Sequence, residues 1–95
     1  MRAPQSIGKA LAEMLDHFKL DEKARHYEII TRWPEIVGEK IAQSTQAEKL
    51  DRGILTVKVT NAVWKYELTM RSKEIVRKIA QEYGDGIVKE IRWRV

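Results

Sequence analysis

Tyr66, Met70, Lys73 and Arg77 recur at helical spacing, an aromatic ring, a thioether and two cations on one side of one predicted helix. Such a set can stack on bases, pair with phosphates or form an adaptable protein-binding patch. If the first helix of the chain packs over Tyr66 and Met70 instead, those two are satellite core and only Lys73 and Arg77 face a partner. A second basic group is Lys58, Arg92 and Arg94, which the alternation of their strands sends away from the core, onto a face able to track a phosphate backbone. That face lacks outward aromatics, because Trp93 and Tyr83 fall on the buried side. Sequence-independent binding is therefore expected rather than base stacking of the RRM kind. The competing reading is a solvated polar face whose charges serve solubility. Arg71 and Lys78 lie beside the apolar stripe and cover its margin with their methylene stems.

Catalytic chemistry finds no comparable set. His17 and His26 stand nine residues apart on two predicted helices, unlike the i, i+4 pair that places two imidazoles on one metal. Ser6, Ser44 and Ser72 have no motif around them, and neither a P-loop nor a dinucleotide fingerprint is present. The chain has no cysteine, which excludes disulfides and thiolate chemistry. No catalytic residue, cofactor, metal site or small-molecule substrate is expected, and an ATPase is excluded at the level of motifs.

The elements that must position these residues follow from periodicity. Ile7, Leu11, Met14 or Leu15, and Phe18 mark an amphipathic helix over residues 1–20. Asp21 suits the N-cap of a second, with Ala24, Tyr27, Ile30 and Trp33 as its apolar stripe. Pro34 then starts a short helical piece to about Gln43, and Gly38 inside it reads as room for another element to approach closely. Strands follow from Thr45, with Lys49 to Gly53 as the turn region and Leu55, Val57 and Val59 facing the core. Asn61 can cap a long helix whose stripe is Trp64, Leu68, Ile75, Ile79 and Tyr83. Gly84-Asp85-Gly86 ends it, and Ile87, Ile91, Trp93 and Val95 alternate with Val88, Glu90, Arg92 and Arg94 in a last strand. Trp33 and Trp64 both continue apolar stripes, so core packing is expected of them before stacking on a ligand.

The order is α-α-α-β-β-α-β, an α+β domain in which helices pack on one face of a three-stranded sheet, of the size of KH-like domains. The G-x-x-G clamp of nucleotide-gripping KH modules is absent. At 95 residues, with 43% hydrophobic and 34% charged, the chain is expected to form one domain over 1–95, an N-terminal helix over 1–20 and a KH-like core over 21–95. It lacks a membrane-length apolar run and a secretory signal, so a cytoplasmic location without membrane contact is expected. Charge is uneven. Residues 1–48 carry seven Lys and Arg against eight Asp and Glu, and residues 49–95 carry eleven against six, placing a basic half where an acidic partner such as nucleic acid would be drawn.

Trp33 with Ile36-Val37-Gly38 and Ile41-Ala42, the strand Gly53-x-Leu55-x-Val57-x-Val59, Trp64-x-x-Glu67-Leu68 and the closing Val88-x-x-Ile91-Arg92 together resemble the DciA family. The resemblance spans residues 33–92 and rests on the order of short apolar, Trp and Gly signals. It implies a bacterial protein with a KH-like domain that binds DNA and the replicative helicase and helps place that helicase on DNA. Many members carry a flexible tail beyond the folded domain, whereas this sequence stops at Val95. The helicase contact is then expected on the folded surface or the N-terminal helix. A protein-interaction module without DNA binding and a KH-like RNA binder are the alternative readings.

Overall fold

The computed structural model describes residues 22–95. The helix expected over 1–20, the Asp21 cap and His17 lie outside the described residues. Helix α1 covers residues 22–31, followed by α2 (Trp33–Val37), α3 (Glu39–Ala42), β1 (Thr45–Asp51), β2 (Ile54–Val59), α4 (Ala62–Tyr83) and β3 (Glu90–Arg94). The order α-α-α-β-β-α-β holds, in a small α+β domain whose three-stranded mixed sheet is packed by helices. Strands run β1-β2-β3, antiparallel between β1 and β2 and parallel between β2 and β3. Parallel neighbours need a long crossover, which α4 supplies.

Local chemistry explains the boundaries. Asn61 caps α4 as expected, its Oδ1 accepting from the Trp64 N–H at 2.9 Å. The helix ends where Gly84 takes φ +111°. The hairpin turn is tighter than expected: β1 continues through Lys49, Leu50 and Asp51, and only Arg52 and Gly53 lie between the strands. Both have positive φ, 51° and 82°, the conformation a two-residue type I′ hairpin demands. A register shift between Ala47 and Lys49 places Ala47 and Leu50 both inward and leaves Glu48 and Lys49 both exposed. That bulge hides the strand from a period-two reading.

Three other expectations change. Tyr27 is 70% exposed and Ala24 is exposed, while Ile29 is fully buried. The chain leaves the helix at Arg32 (φ −98°, ψ 14°), so Trp33 belongs to α2 and cannot set the phase of α1. At Gly38, which splits the expected helix over 34–43, an added Cβ would meet nothing within 4 Å. Close approach is therefore not its purpose. Its φ of 92° and ψ of 157° lie in a region essentially reserved for glycine. Gly38→Ala is expected to cost roughly 1–3 kcal/mol despite the open space, read as a lower urea midpoint with unchanged slope. Finally, Val88 is buried and Val95 is 55% exposed, the reverse of the expected alternation. The stretch before β3 bends, and the N–H groups of Lys89 and of Glu90, the first residue of β3, both donate to the Gly53 carbonyl, at 2.7 and 3.1 Å.

The core joins Ile29, Trp33 and Ile36 to Leu55, Val57 and Val59 of β2, to Leu68, Ile75, Ile79 and Tyr83 of α4, and to Ile91 and Trp93 of β3. Trp33 and Trp93 meet at 6.1 Å between ring centroids and 56° between planes, a tilted aromatic contact. Each indole N–H is satisfied by a hydroxyl that itself donates to a helical carbonyl. Trp33 Nε1 donates to Thr45 Oγ1 at 2.9 Å and Thr45 to the Ile41 carbonyl at 2.8 Å. Trp93 Nε1 donates to Ser72 Oγ at 2.7 Å and Ser72 to the Leu68 carbonyl at 3.1 Å. Trp64 only half enters the core.

The Tyr83 hydroxyl is buried with no hydrogen-bond partner among the described residues. Burial raises its pKa above the ordinary 10, with Glu82 and Glu28 adding to the rise and Arg32 opposing it. A raised folded-state pKa contributes stability that is full below the unfolded value and lost as pH climbs through the folded one. The fold should therefore weaken above about pH 10. Tyr83→Phe should remove that part of the alkaline loss and cost little at neutral pH, because the phenol leaves no partner behind. Urea midpoints of both proteins from neutral to alkaline pH check this.

Candidate functional site

Four of the side chains singled out for chemistry, Lys73, Arg77, Arg92 and Arg94, occupy two sides of the edge strand β3. On the helix side, Lys73 and Arg77 of α4 line an open groove of about 420 Å³ with Lys89, Glu90 and Ile91; Ser72 and Val76 complete the lining. Helical spacing carries Lys73 and Arg77 to this groove because they lie one turn apart, while Ser72 is held inward by its bonds to Trp93 and Leu68. On the outer face of the sheet, Arg92 and Arg94 line a second concavity, about 450 Å³, with Glu48, Lys49 and Thr56. Pairing puts Lys49, Thr56 and Arg92 in one row across the three strands.

Charge is not equally available along this surface. Arg94 Nη2 lies 2.8 Å from Glu48 Oε1, and Arg92 Nη2 lies 3.8 Å from Glu90 Oε1. Lys49, Lys58, Lys73, Arg77 and Lys89 are exposed and form no ion pair among the described residues. Lys58 sits beside Arg94 in register, yet borders a different hollow, with Gln43, Ser44 and Gln46. The five basic residues expected from sequence thus divide: Lys73 with Arg77, Arg92 with Arg94, and Lys58 apart from both pairs.

Tyr66 and Met70 are 68% and 72% exposed; the helix expected over 1–20, the alternative cover for them, lies outside the described residues. Sequence reasoning missed three residues here. Lys89 joins Lys73 and Arg77 because the turn after α4 folds back beside that helix. Lys49 reaches the outer face through the bulge. Val63, 74% exposed, extends the Tyr66 and Met70 side of α4, and its three-residue spacing from Tyr66 was the signal that could have found it. Beside it, Val63, Trp64 and Ile41 form an apolar hollow of about 340 Å³ edged by Lys40, Glu67 and Arg71.

Among the described residues, no three His, Cys, Asp or Glu side chains gather closely enough to hold a metal ion. No described helix is long and apolar enough to cross a membrane. What the arrangement offers is cations on both sides of one strand edge and an apolar stripe on the helix above it. Phosphates and apolar protein surfaces match those two features.

The sequence model of the family described as "Dna[CI] antecedent, DciA" matches residues 6–93. A UPF0232 protein of Rhodococcus jostii is 33% identical over 96% of this chain and 48% of its own length. UPF0232 proteins of Mycolicibacterium smegmatis and Streptomyces avermitilis are 29% and 26% identical, each over 96% of this chain and 47% and 51% of their own length. The chain therefore spans about half the length of these curated relatives.

Proposed function

This chain belongs to the DciA family, and from that premise we propose that it is a cytoplasmic, non-enzymatic DNA-binding adaptor that engages the bacterial replicative helicase and assists its loading. DNA lies along β3, its phosphates drawn by Lys73 and Arg77 on the helix side and by Arg92, Arg94 and Lys58 on the sheet side. Lys89 and Lys49 strengthen the two sides. Tyr66 and Met70 face the protein partner. The observation that carries this reading is that Lys73, Arg77 and Lys89, exposed and without ion pairs among the described residues, border one groove at an edge strand. Cations gathered at one place, with no ion pair among the described residues, suit a phosphate backbone.

Binding does the work in this mechanism. An adaptor that holds DNA and helicase together raises their effective local concentration by tethering alone. If it prefers an open form of the helicase, it also shifts the population toward loading. Outward aromatic rings are absent from the sheet face, where Thr56, Lys58, Arg92 and Arg94 point, so contacts follow the backbone and carry no sequence preference.

Fluorescence anisotropy with single-stranded DNA, duplex DNA and RNA probes across a salt series tests the reading. Affinity is expected to be measurable at low salt and to fall steeply as salt rises. No binding of any probe at low salt would remove nucleic acid from the function. Clear preference for RNA would turn the domain into an RNA binder. Co-purification with the replicative helicase tests the partner, and failure with both proteins folded would leave the helicase role unsupported.

A further inference from the structure

Val63, Tyr66, Met70, Lys73 and Arg77 follow one another along α4 at intervals of three, four, three and four residues. At ~100° per residue this spacing keeps all five within roughly a quarter of the helix circumference, opposite Leu68, Ile75 and Ile79 of the core. It is the seam spacing with which one helix receives another. Val63, Tyr66 and Met70 are each more than two-thirds exposed. Single exposed apolar side chains are ordinary, but three on one seam are a docking feature.

The stripe also changes character along its length, apolar in its first half and cationic in its second. A second copy of this chain is a poor occupant. Laid antiparallel across Met70, it would oppose Glu67 of one copy to Glu74 of the other; laid parallel, it would stack Lys73 on Lys73 and Arg77 on Arg77. Charge complementarity instead selects a different helix.

We propose that the outer face of α4 docks an amphipathic helix of a partner protein, with apolar residues over Val63, Tyr66 and Met70 and carboxylates over Lys73 and Arg77. The inference rests on the adaptor reading for the existence of a protein partner and specifies the chemistry that partner presents. Because Lys73 and Arg77 also border the groove at β3, the docked helix competes with nucleic acid for those two cations.

Labelled helical peptides of about three heptads test the seam. One carries Leu at the first seam positions and Glu at the last, made in both sequence orders, and a control has Lys in place of Glu. The Glu peptide is expected to bind roughly tenfold tighter than the Lys control. Tyr66→Asp with Met70→Asp should abolish binding, and Lys73→Glu with Arg77→Glu should invert the preference; all four positions are exposed, and circular dichroism checks the fold. Equal binding of the two peptides, binding of neither, or indifference to the Tyr66 and Met70 changes overturns the inference. So does a concentration-dependent dimer that those changes dissolve. The purified helicase separates the two readings. Helicase capture unaffected at Tyr66 and Met70 overturns the seam and leaves the adaptor standing, whereas peptide binding without helicase capture supports the seam and removes the helicase.

Discussion

Trp33→Ala should cost about 3–5 kcal/mol, the largest loss of any single substitution considered for this domain. Trp33 is 2% exposed, stacks at a tilt on Trp93 and donates its indole N–H to Thr45. Truncation empties a large volume between α2 and the sheet, and it removes one member of a relay that ends on the Ile41 carbonyl. With a urea slope near 1 kcal/mol/M for so small a domain, the midpoint should fall by several molar units. A domain whose total stability lies near the low end of about 5–15 kcal/mol would then be largely unfolded. Trp64→Ala supplies the comparison. Because Trp64 is only half-buried, its loss should be roughly half as large. Equal losses at the two tryptophans would contradict the packing described. Loss of ligand binding in Trp33→Ala reports unfolding, not contact.

Replacing Lys73, Arg77 and Lys89 together by Ala should weaken DNA binding by roughly one to two orders of magnitude at moderate salt. It should also reduce the slope of log affinity against log salt by about one per phosphate contact removed. Arg92 and Arg94 should matter less, because each lies beside a carboxylate, Arg94 at 2.8 Å from Glu48. Glu48→Gln would free Arg94 and is expected to tighten binding slightly. A salt series on the triple variant and on a Lys49, Arg92, Arg94 triple variant distinguishes the two sides of β3. If the second variant loses more slope than the first, phosphates run over the sheet face rather than through the groove. Both variants change only exposed side chains, so their urea midpoints should stay close to the parent's.

Much of the fold was legible in local pattern. The stripe of Leu68, Ile75, Ile79 and Tyr83, the Asn61 cap and the Gly84 stop set α4 correctly, since each rests on contacts within a few residues. Leu55, Val57 and Val59 identified β2 for the same reason. What escaped was phase and continuity. The bulge at Glu48 broke the period-two signal of β1, the turn at Arg32 detached Trp33 from α1, and residues 87–89 bend toward the Gly53 carbonyl where alternation alone suggested strand. The candidate site shows the same division. Lys73, Arg77, Tyr66 and Met70 could be placed on one side of α4 from their spacing, whereas Lys89 and Lys49 could not be grouped with their neighbours.

By itself the amino-acid order determined the sequence of helices and strands, the extent of α4 and β2, which face of α4 is apolar and which polar, and the family to which the chain belongs. Those properties are periodic or local, and they survive reading along one dimension. Only the tertiary structure decided that β3 is an edge strand, that Lys73 and Arg77 share a groove with Lys89, that Glu48 neutralises Arg94, and how far Tyr66 and Met70 are exposed on α4. Each of these depends on residues far apart in sequence meeting, or failing to meet, once the sheet and α4 have packed. The balance of charge and exposure that makes a surface available to a partner belongs to that packing.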